Sequence, residues 1–141
     1  MPNMALELAK QWMEKAEHDL VTARAVLALP DGPTDTPCFH AQQAVEKALK
    51  ALLTARGIRF EKVHDLMAHC DAALPHAPEL KTHRERIAAM ADYAVQVRYP
   101  GDWEEPERAD ALAAVEEAEQ VVRLVAKVIS KGKKPRNGGK R

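Results

Sequence analysis

The fold of this chain is decided by one stretch, CFHAQQAVEKALKALL, which runs from Cys38 to Leu53. Its alanine, valine and leucine residues spread over about half of a helix circumference, at about 100° per residue. So wide an apolar arc indicates contacts with several neighbours, which predicts a central helix over about Pro37 to Arg56. Pro37 suits the first helical turn, where its missing N–H costs nothing, and Gly57 suits the position just after the helix.

The opposite arc of this helix carries a polar row: His40, Gln43, Glu46, Lys47 and Lys50. Most such rows are solvated charge. The alternative is that the row lines a cleft, in which Lys47 holds phosphate oxygens while His40 and Gln43 add neutral hydrogen bonds. Gln42 interrupts the apolar side, so its amide must either join two helices or face an interface.

Four further helices are predicted around the central one, from apolar periodicity, capping signals and helix breakers. Their expected bounds are 4–29, 65–74, 79–97 and 104–130. The last of them should begin with a capping box of Asp102 and Glu105, with Pro106 in its first turn. It carries an apolar seam, typical of bundle packing or of a dimer contact: Ala111, Val115, Ala118, Val122, Val125 and Ile129. The predicted fold is an all-α, up-and-down antiparallel bundle of four long helices and one short helix.

Asp19 falls slightly off the inward stripe of the first helix, next in angle to Trp12 and Ala23. A carboxylate in this position is either a rim group that meets solvent or an arginine, or a polar group aimed into a cleft. Both alternatives remain open at this stage.

Length and composition limit the classes of protein. The 141 residues suit one domain, and 46% hydrophobic residues with only 4% aromatic ones favour helices over sheets. Because the chain has no run long enough to cross a bilayer and no signal-peptide core, we expect a cytoplasmic protein without a membrane partner. Two cysteines do not make a secreted disulfide framework, and we expect two buried thiols.

The net charge is zero but unevenly distributed. Residues 131–141 hold six of the 21 basic residues and no acid, so the rest of the chain has 15 basic against 21 acidic residues. An acidic body weakens the binding of a polyanion. We expect a helical domain over residues 1–130, and a disordered, solvated basic tail over 131–141 rather than an RNA-binding arm.

Motifs of common enzyme chemistry are absent from the sequence. It contains no G-x-G-x-x-G, G-x-x-x-x-G-K-[ST], H-E-x-x-H, C-x-x-C or G-x-S-x-G. His64 and His69 are five residues apart and do not share a helix face, so we expect no metal site and no required cofactor.

The run F-H-A-Q-Q-A-x-E-K-A-L-K-A-L-L, followed by His64-Asp65-Leu66 and Arg98-Tyr99-Pro100, resembles the HEPN domain family. Together with Trp12, Ala16 and Asp19-Leu20, the resemblance covers residues 8 to about 128. It implies an all-α up-and-down bundle that usually dimerises. It also implies a separate minimal nucleotidyltransferase as partner, in pairs that resemble toxin–antitoxin systems. Some relatives are proposed to bind nucleotides, while many others are metal-independent ribonucleases with an R-x4-6-H motif.

This chain departs from that ribonuclease pattern. The positions at which the histidine would follow Arg98 hold Trp103, Glu104 and Glu105. None of these side chains transfers a proton near neutral pH as an imidazole does. Arg59 and His64 have the required spacing, but they precede the third helix.

We therefore expect a non-catalytic HEPN protein that forms a homodimer, binds ATP or GTP, or acts with a minimal nucleotidyltransferase. The resemblance places His64 and Arg98 near the polar row, where arginine could hold phosphate bidentately. The candidate nucleotide-binding residues are His40, Gln43, Lys47, His64, Arg98 and Tyr99, with Asp19 in the cleft. One alternative is a metal-independent ribonuclease toxin that cleaves RNA through Arg59, His64 or Arg98. A second alternative is a structural helical adaptor.

Overall fold

The computed structural model describes residues 3–60, 65–94, 99–101 and 104–132. The described part of the chain forms five α-helices: α1 (Met4–Leu27), α2 (Asp35–Ala55), α3 (Leu66–Ala73), α4 (Arg84–Ala89) and α5 (Arg108–Gly132). Three 3-10 segments lie around α4: Leu74–His76, Pro78–His83 and Ala91–Ala94. These residues contain no strand, and the predicted all-α bundle is confirmed. Among the same residues, no helix is both long enough and apolar enough to cross a bilayer.

α2 lies at the centre of the bundle, where it packs on α1, α3, α5 and the segment Ala91–Ala94. Its alanine, valine and leucine residues are buried, and so are three polar residues: Gln42, Glu46 and Lys50. A helix surrounded on several sides keeps little surface for water, and α1 covers the arc that carries the polar row. For Glu46 and Lys50, the expectation of a solvated face is therefore wrong.

The end of α2 is formed by local signals. Gly57 adopts a left-handed φ of +71°, which a residue without Cβ adopts at no steric cost. Ile58 N donates to Leu53 O at 2.8 Å, and Gly57 N donates to Thr54 O at 3.1 Å. This pair of bonds is a Schellman motif, so Gly57 ends the helix as predicted.

The fourth arm of the bundle is built differently from the predicted helix over 79–97. It consists of Pro78–His83, α4 and Ala91–Ala94, and residues 95–97 lie outside the described part of the chain. Met90 N donates to Ile87 O, and Tyr93 N donates to Met90 O, in the i→i+3 pattern. Since side chains three residues apart align in a 3-10 helix, all three face the core. The arm therefore fills its place in the bundle without a continuous α-helix.

α5 begins at Arg108, four residues later than predicted, so Glu104, Glu105 and Pro106 precede it. A proline disfavours the helical conformation of the residue before it, which keeps Glu105 out of the helix. Asp110 provides the cap, since its Oδ2 accepts from Glu107 N at 2.9 Å. The predicted capping box is therefore wrong for Glu105, which precedes the helix. Its other member, Asp102, lies outside the described residues.

The apolar seam of α5 is used inside the chain. Ala111, Val115, Ala118, Val122 and Val125 are buried in the core formed with α1 and α2. Of the two interpretations of the seam, bundle packing is therefore confirmed for these five residues, while Ile129 at its end is only half-buried. Residues 131 and 132 still belong to α5, and the rest of the predicted tail, from 133 on, lies outside the described residues.

Candidate functional site

Asp19 joins α1 to α2. Only 9% of its side chain is exposed, and its two carboxylate oxygens bind two different residues of α2. Oδ1 lies 2.8 Å from His40 Nδ1, and Oδ2 lies 2.7 Å from Lys47 Nζ. Asp19 is thus not a rim carboxylate in solvent, but the residue around which this part of the helix contact is arranged.

The helical repeat of α2 explains why these groups meet. His40 and Lys47 are seven residues apart, which places them on one face about two turns from each other, with Gln43 between them. The side chains of His40 and Lys47 are 27% and 26% exposed, so this edge of the α1–α2 contact, the cleft, is accessible to solvent at both. Because a carboxylate can only accept, His40 Nδ1 donates to Asp19.

A second polar chain runs along α2 beneath this cleft. Gln43 Nε2 donates to Gln42 Oε1 at 2.8 Å, and Gln42 Nε2 donates to Glu46 Oε1 at 3.3 Å. Gln42 is 1% exposed and so is Glu46. Gln42 therefore finds its partners within its own helix, and it does so beside the predicted site residue Gln43.

The buried carboxylate of Glu46 is balanced by Lys50. Lys50 Nζ lies 2.9 Å from Glu46 Oε2 and 5.2 Å from the centroid of the Trp12 ring. The ammonium thus has an anion on one side and the face of an aromatic ring on the other, and both attract a cation. This arrangement allows an ion pair to remain in the core.

The charge of Lys47 is largely offset by Asp19. One ammonium proton is engaged by the carboxylate, and two remain for a ligand. Because the two charges offset each other, Lys47 attracts phosphate less than an unpaired lysine would.

The structure brings together Asp19, His40, Gln43 and Lys47, but it does not bring every candidate to this cleft. Arg59 is exposed in the segment after α2, and Tyr99 is 74% exposed. His64 and Arg98 lie outside the described residues. The grouping of His64 and Arg98 with the polar row therefore stays a prediction.

Sequence reasoning also missed the buried carboxylate of Glu117. Glu117 of α5 has a side chain only 5% exposed; its Oε2 lies 2.7 Å from His83 Nδ1, and its Oε1 lies 2.7 Å from Arg86 Nε. As at Asp19, one carboxylate holds an imidazole and a cation from another element. His83 and Arg86 are three residues apart, but nothing in their spacing points to an acid 31 or more positions later.

The two thiols are buried, as expected. Burial raises the pKa of Cys38 to about 11, although a hydrogen bond with Tyr93 acts in the opposite direction. Burial also raises the pKa of Cys70. Because the thiolate is the reactive form, both side chains act as core residues at neutral pH. Within the described residues, no group of three His, Cys, Asp or Glu side chains is placed to hold a metal ion.

Comparisons with known proteins give a consistent result. The family model described as the HEPN domain matches residues 9–129 of this chain. The protein named "Putative toxin MJ1304" from Methanocaldococcus jannaschii is 26% identical in an alignment of 134 positions that covers 85% of this chain and 87% of that protein. The crystal structure of ST0689, an archaeal HEPN homologue, matches with a TM-score of 0.67 at 24% identity, over 86% of this chain and 97% of the other. At that identity the structural match concerns the fold.

Proposed function

This chain belongs to the HEPN domain family, and we propose that it is a non-catalytic member that binds a nucleotide in the cleft between α1 and α2. The observation that carries this proposal is the double engagement of Asp19, which holds His40 and Lys47 in one partly open polar site. Lys47 retains two N–H donors for phosphate, while His40 and Gln43 supply neutral polar groups. The non-catalytic part rests on positions 103–105, which hold Trp, Glu and Glu where the ribonuclease pattern needs a histidine.

The biological setting that we propose is a two-protein module of the toxin–antitoxin kind, in which the partner is a minimal nucleotidyltransferase. The similarity to a protein named as a toxin supports this setting. We propose further that the chain acts as a homodimer. The exposed Met4 and Leu8 of α1 support a contact there, beside an apolar groove lined by Leu6, Met13 and Ile129. Light scattering at working concentration tests the dimer, and a monomer mass contradicts it.

Titration calorimetry of the full chain with ATP and with GTP, each up to millimolar concentration, tests nucleotide binding. We expect saturable binding of at least one nucleotide, weakened by Lys47→Ala. The matched control is Lys127→Ala, which removes an exposed lysine of α5. Absence of binding for both nucleotides refutes the proposal.

The ribonuclease alternative is favoured by one observation, the toxin name of the relative. It predicts cleavage of single-stranded RNA in the presence of EDTA, abolished by His64→Ala or Arg98→Ala. Cleavage that survives both substitutions excludes these residues as its source. A chain that neither binds nucleotides nor cleaves RNA, yet captures its partner, is an adaptor.

A further inference from the structure

Glu46 determines which groups donate and which accept in the hydrogen bonds along α2. An ammonium 2.9 Å away, that of Lys50, favours the ionised form of this buried carboxylate. An ionised carboxylate has acceptors only, so any group that bonds to it must donate. Glu46 therefore sets the polarity of the bonds that follow.

Gln42 transmits this polarity. Its Nε2 faces Glu46 Oε1, which turns its Oε1 in the other direction. That oxygen can only accept, and Gln43 Nε2 donates to it at 2.8 Å. The amides of Gln42 and Gln43 are thus both oriented, Gln42 by the carboxylate of Glu46 and Gln43 by the amide oxygen of Gln42.

At the cleft, Gln43 therefore presents a hydrogen-bond acceptor. The Nε2 end of Gln43 is directed at Gln42, and its Oε1 is the end that lies away from Gln42. Among the hydrogen bonds of the described residues, Gln43 Oε1 takes part in none, so it can accept from a ligand.

We propose that the cleft reads the nucleobase with an acceptor, Gln43 Oε1, and therefore selects a base that carries an exocyclic amine. This inference rests on the nucleotide binding proposed above and adds the class of base. An amine donates an N–H group to this acceptor, whereas a carbonyl at the same position places two acceptors against each other. Lys47, one turn beyond Gln43 on the same face, is then left for the phosphates.

Two pairs of nucleotides isolate the amine. ATP and purine riboside 5′-triphosphate differ only in the 6-amine, and GTP and ITP differ only in the 2-amine. We expect the nucleotide with the amine to bind about tenfold more tightly in at least one pair, as for one hydrogen bond lost at a partly buried site. Calorimetry with the full chain gives the ratio of the two dissociation constants.

Variants then test whether this ratio depends on the hydrogen bonds that join Gln43, Gln42 and Glu46. Gln43→Met keeps the length of the side chain and removes the acceptor, so the ratio should fall to about one. Gln120→Met, the same substitution at an exposed position of α5, should leave the ratio unchanged. The paired change Glu46→Gln with Lys50→Met removes both charges of the ion pair at the buried end of these hydrogen bonds, and should also reduce the ratio. Gln43→Met decides the question if this paired variant does not fold.

The outcomes separate the two levels of the proposal. If ATP or GTP binds, but the two members of each pair bind with equal affinity, the proposed selection of an amine is overturned and nucleotide binding remains supported. If Gln43→Met does not change the ratio of the dissociation constants, the proposal that Gln43 recognises the amine is overturned. Absence of binding by every nucleotide overturns both.

Discussion

Lys47 Nζ lies 2.7 Å from Asp19 Oδ2, so the cation of the candidate site is already paired with a carboxylate from another helix. Asp19 also holds His40 at 2.8 Å, which makes one residue of α1 responsible for two residues of α2. The pairing gives the cleft its geometry and at the same time limits its attraction for anions. Position 19 should therefore affect stability and phosphate affinity in opposite directions.

Asp19→Asn tests this relationship. The amide keeps the shape of the side chain but removes the negative charge, so Lys47 presents an uncompensated ammonium to the ligand. We expect nucleotide triphosphates to bind about three- to tenfold more tightly. We also expect the free energy of unfolding to fall by about 1–3 kcal/mol, because two charge-assisted hydrogen bonds are weakened. Calorimetry and urea denaturation measure the two effects.

The matched control is Glu17→Gln, at an exposed position two residues earlier on α1. It removes the same charge from the same helix and should change neither quantity by a comparable amount. Weaker binding in Asp19→Asn would contradict the electrostatic argument. It would indicate instead that Asp19 acts mainly by holding His40 and Lys47 in place.

The parts of the fold that the sequence predicts are those with local causes. The position of α2 follows from its apolar arc, and its end follows from Gly57, whose left-handed backbone needs no information from elsewhere in the chain. The late start of α5 has a local cause too, in Pro106, but it competes with a capping pattern that suggests an earlier start.

The buried charges could not be predicted in the same way. Glu46 and Lys50 belong to residue types that are rarely buried, and their spacing equally suits a solvated helix face. What buries them is α1, which brings the Trp12 ring over Lys50. A periodic pattern shows which residues share a face, but not whether another helix covers that face with complementary groups.

Replacement of Lys50 by methionine should expose the cost of this burial. Lys50→Met leaves the carboxylate of Glu46, 1% exposed, without the ammonium that now lies 2.9 Å away. Loss of one partner of a buried ion pair costs about 3–5 kcal/mol, so we expect a large fall in the midpoint of urea denaturation.

The double variant Glu46→Gln with Lys50→Met should recover a substantial part of that loss, since it removes both charges of this ion pair. A double-mutant cycle with Glu46→Gln alone gives the coupling energy. Additive effects of the two substitutions would show that Glu46 and Lys50 do not stabilise each other.

Glu117→Gln should separate structural carboxylates from those of the cleft. Glu117 joins α5 to His83 and Arg86, both at 2.7 Å. The substitution weakens two charge-assisted bonds, and we expect a loss of about 1–3 kcal/mol in the free energy of unfolding. Nucleotide binding should be unchanged, because these residues do not belong to the α1–α2 cleft. Glu116→Gln, at the exposed neighbouring position, is the control for a lost charge on α5; altered nucleotide affinity in Glu117→Gln alone would link the two sites.

Alkaline pH should destabilise the chain through its buried thiol and phenol. Burial raises the pKa of Cys38 from 9.0 to about 11 and that of Tyr93 from 10.0 to about 12. Between the lower and the upper value of each pair, the unfolded chain has lost a proton that the folded chain still holds. Unfolding then releases protons, so the free energy of unfolding decreases as the pH rises.

We expect this decrease to begin near pH 9, where the unfolded thiol ionises, with a slope approaching about 1.4 kcal/mol per pH unit for Cys38 alone. Cys38→Ala removes that thiol from both states, so its slope between pH 9 and 10 should be smaller than that of the unchanged chain, whatever its stability at pH 7. Urea denaturation at intervals from pH 7.5 to 10.5 measures both slopes, and comparison of slopes cancels the cost of the smaller side chain. Equal slopes would mean that Cys38 ionises as readily in the folded chain as in the unfolded one, against its complete burial beside Tyr93.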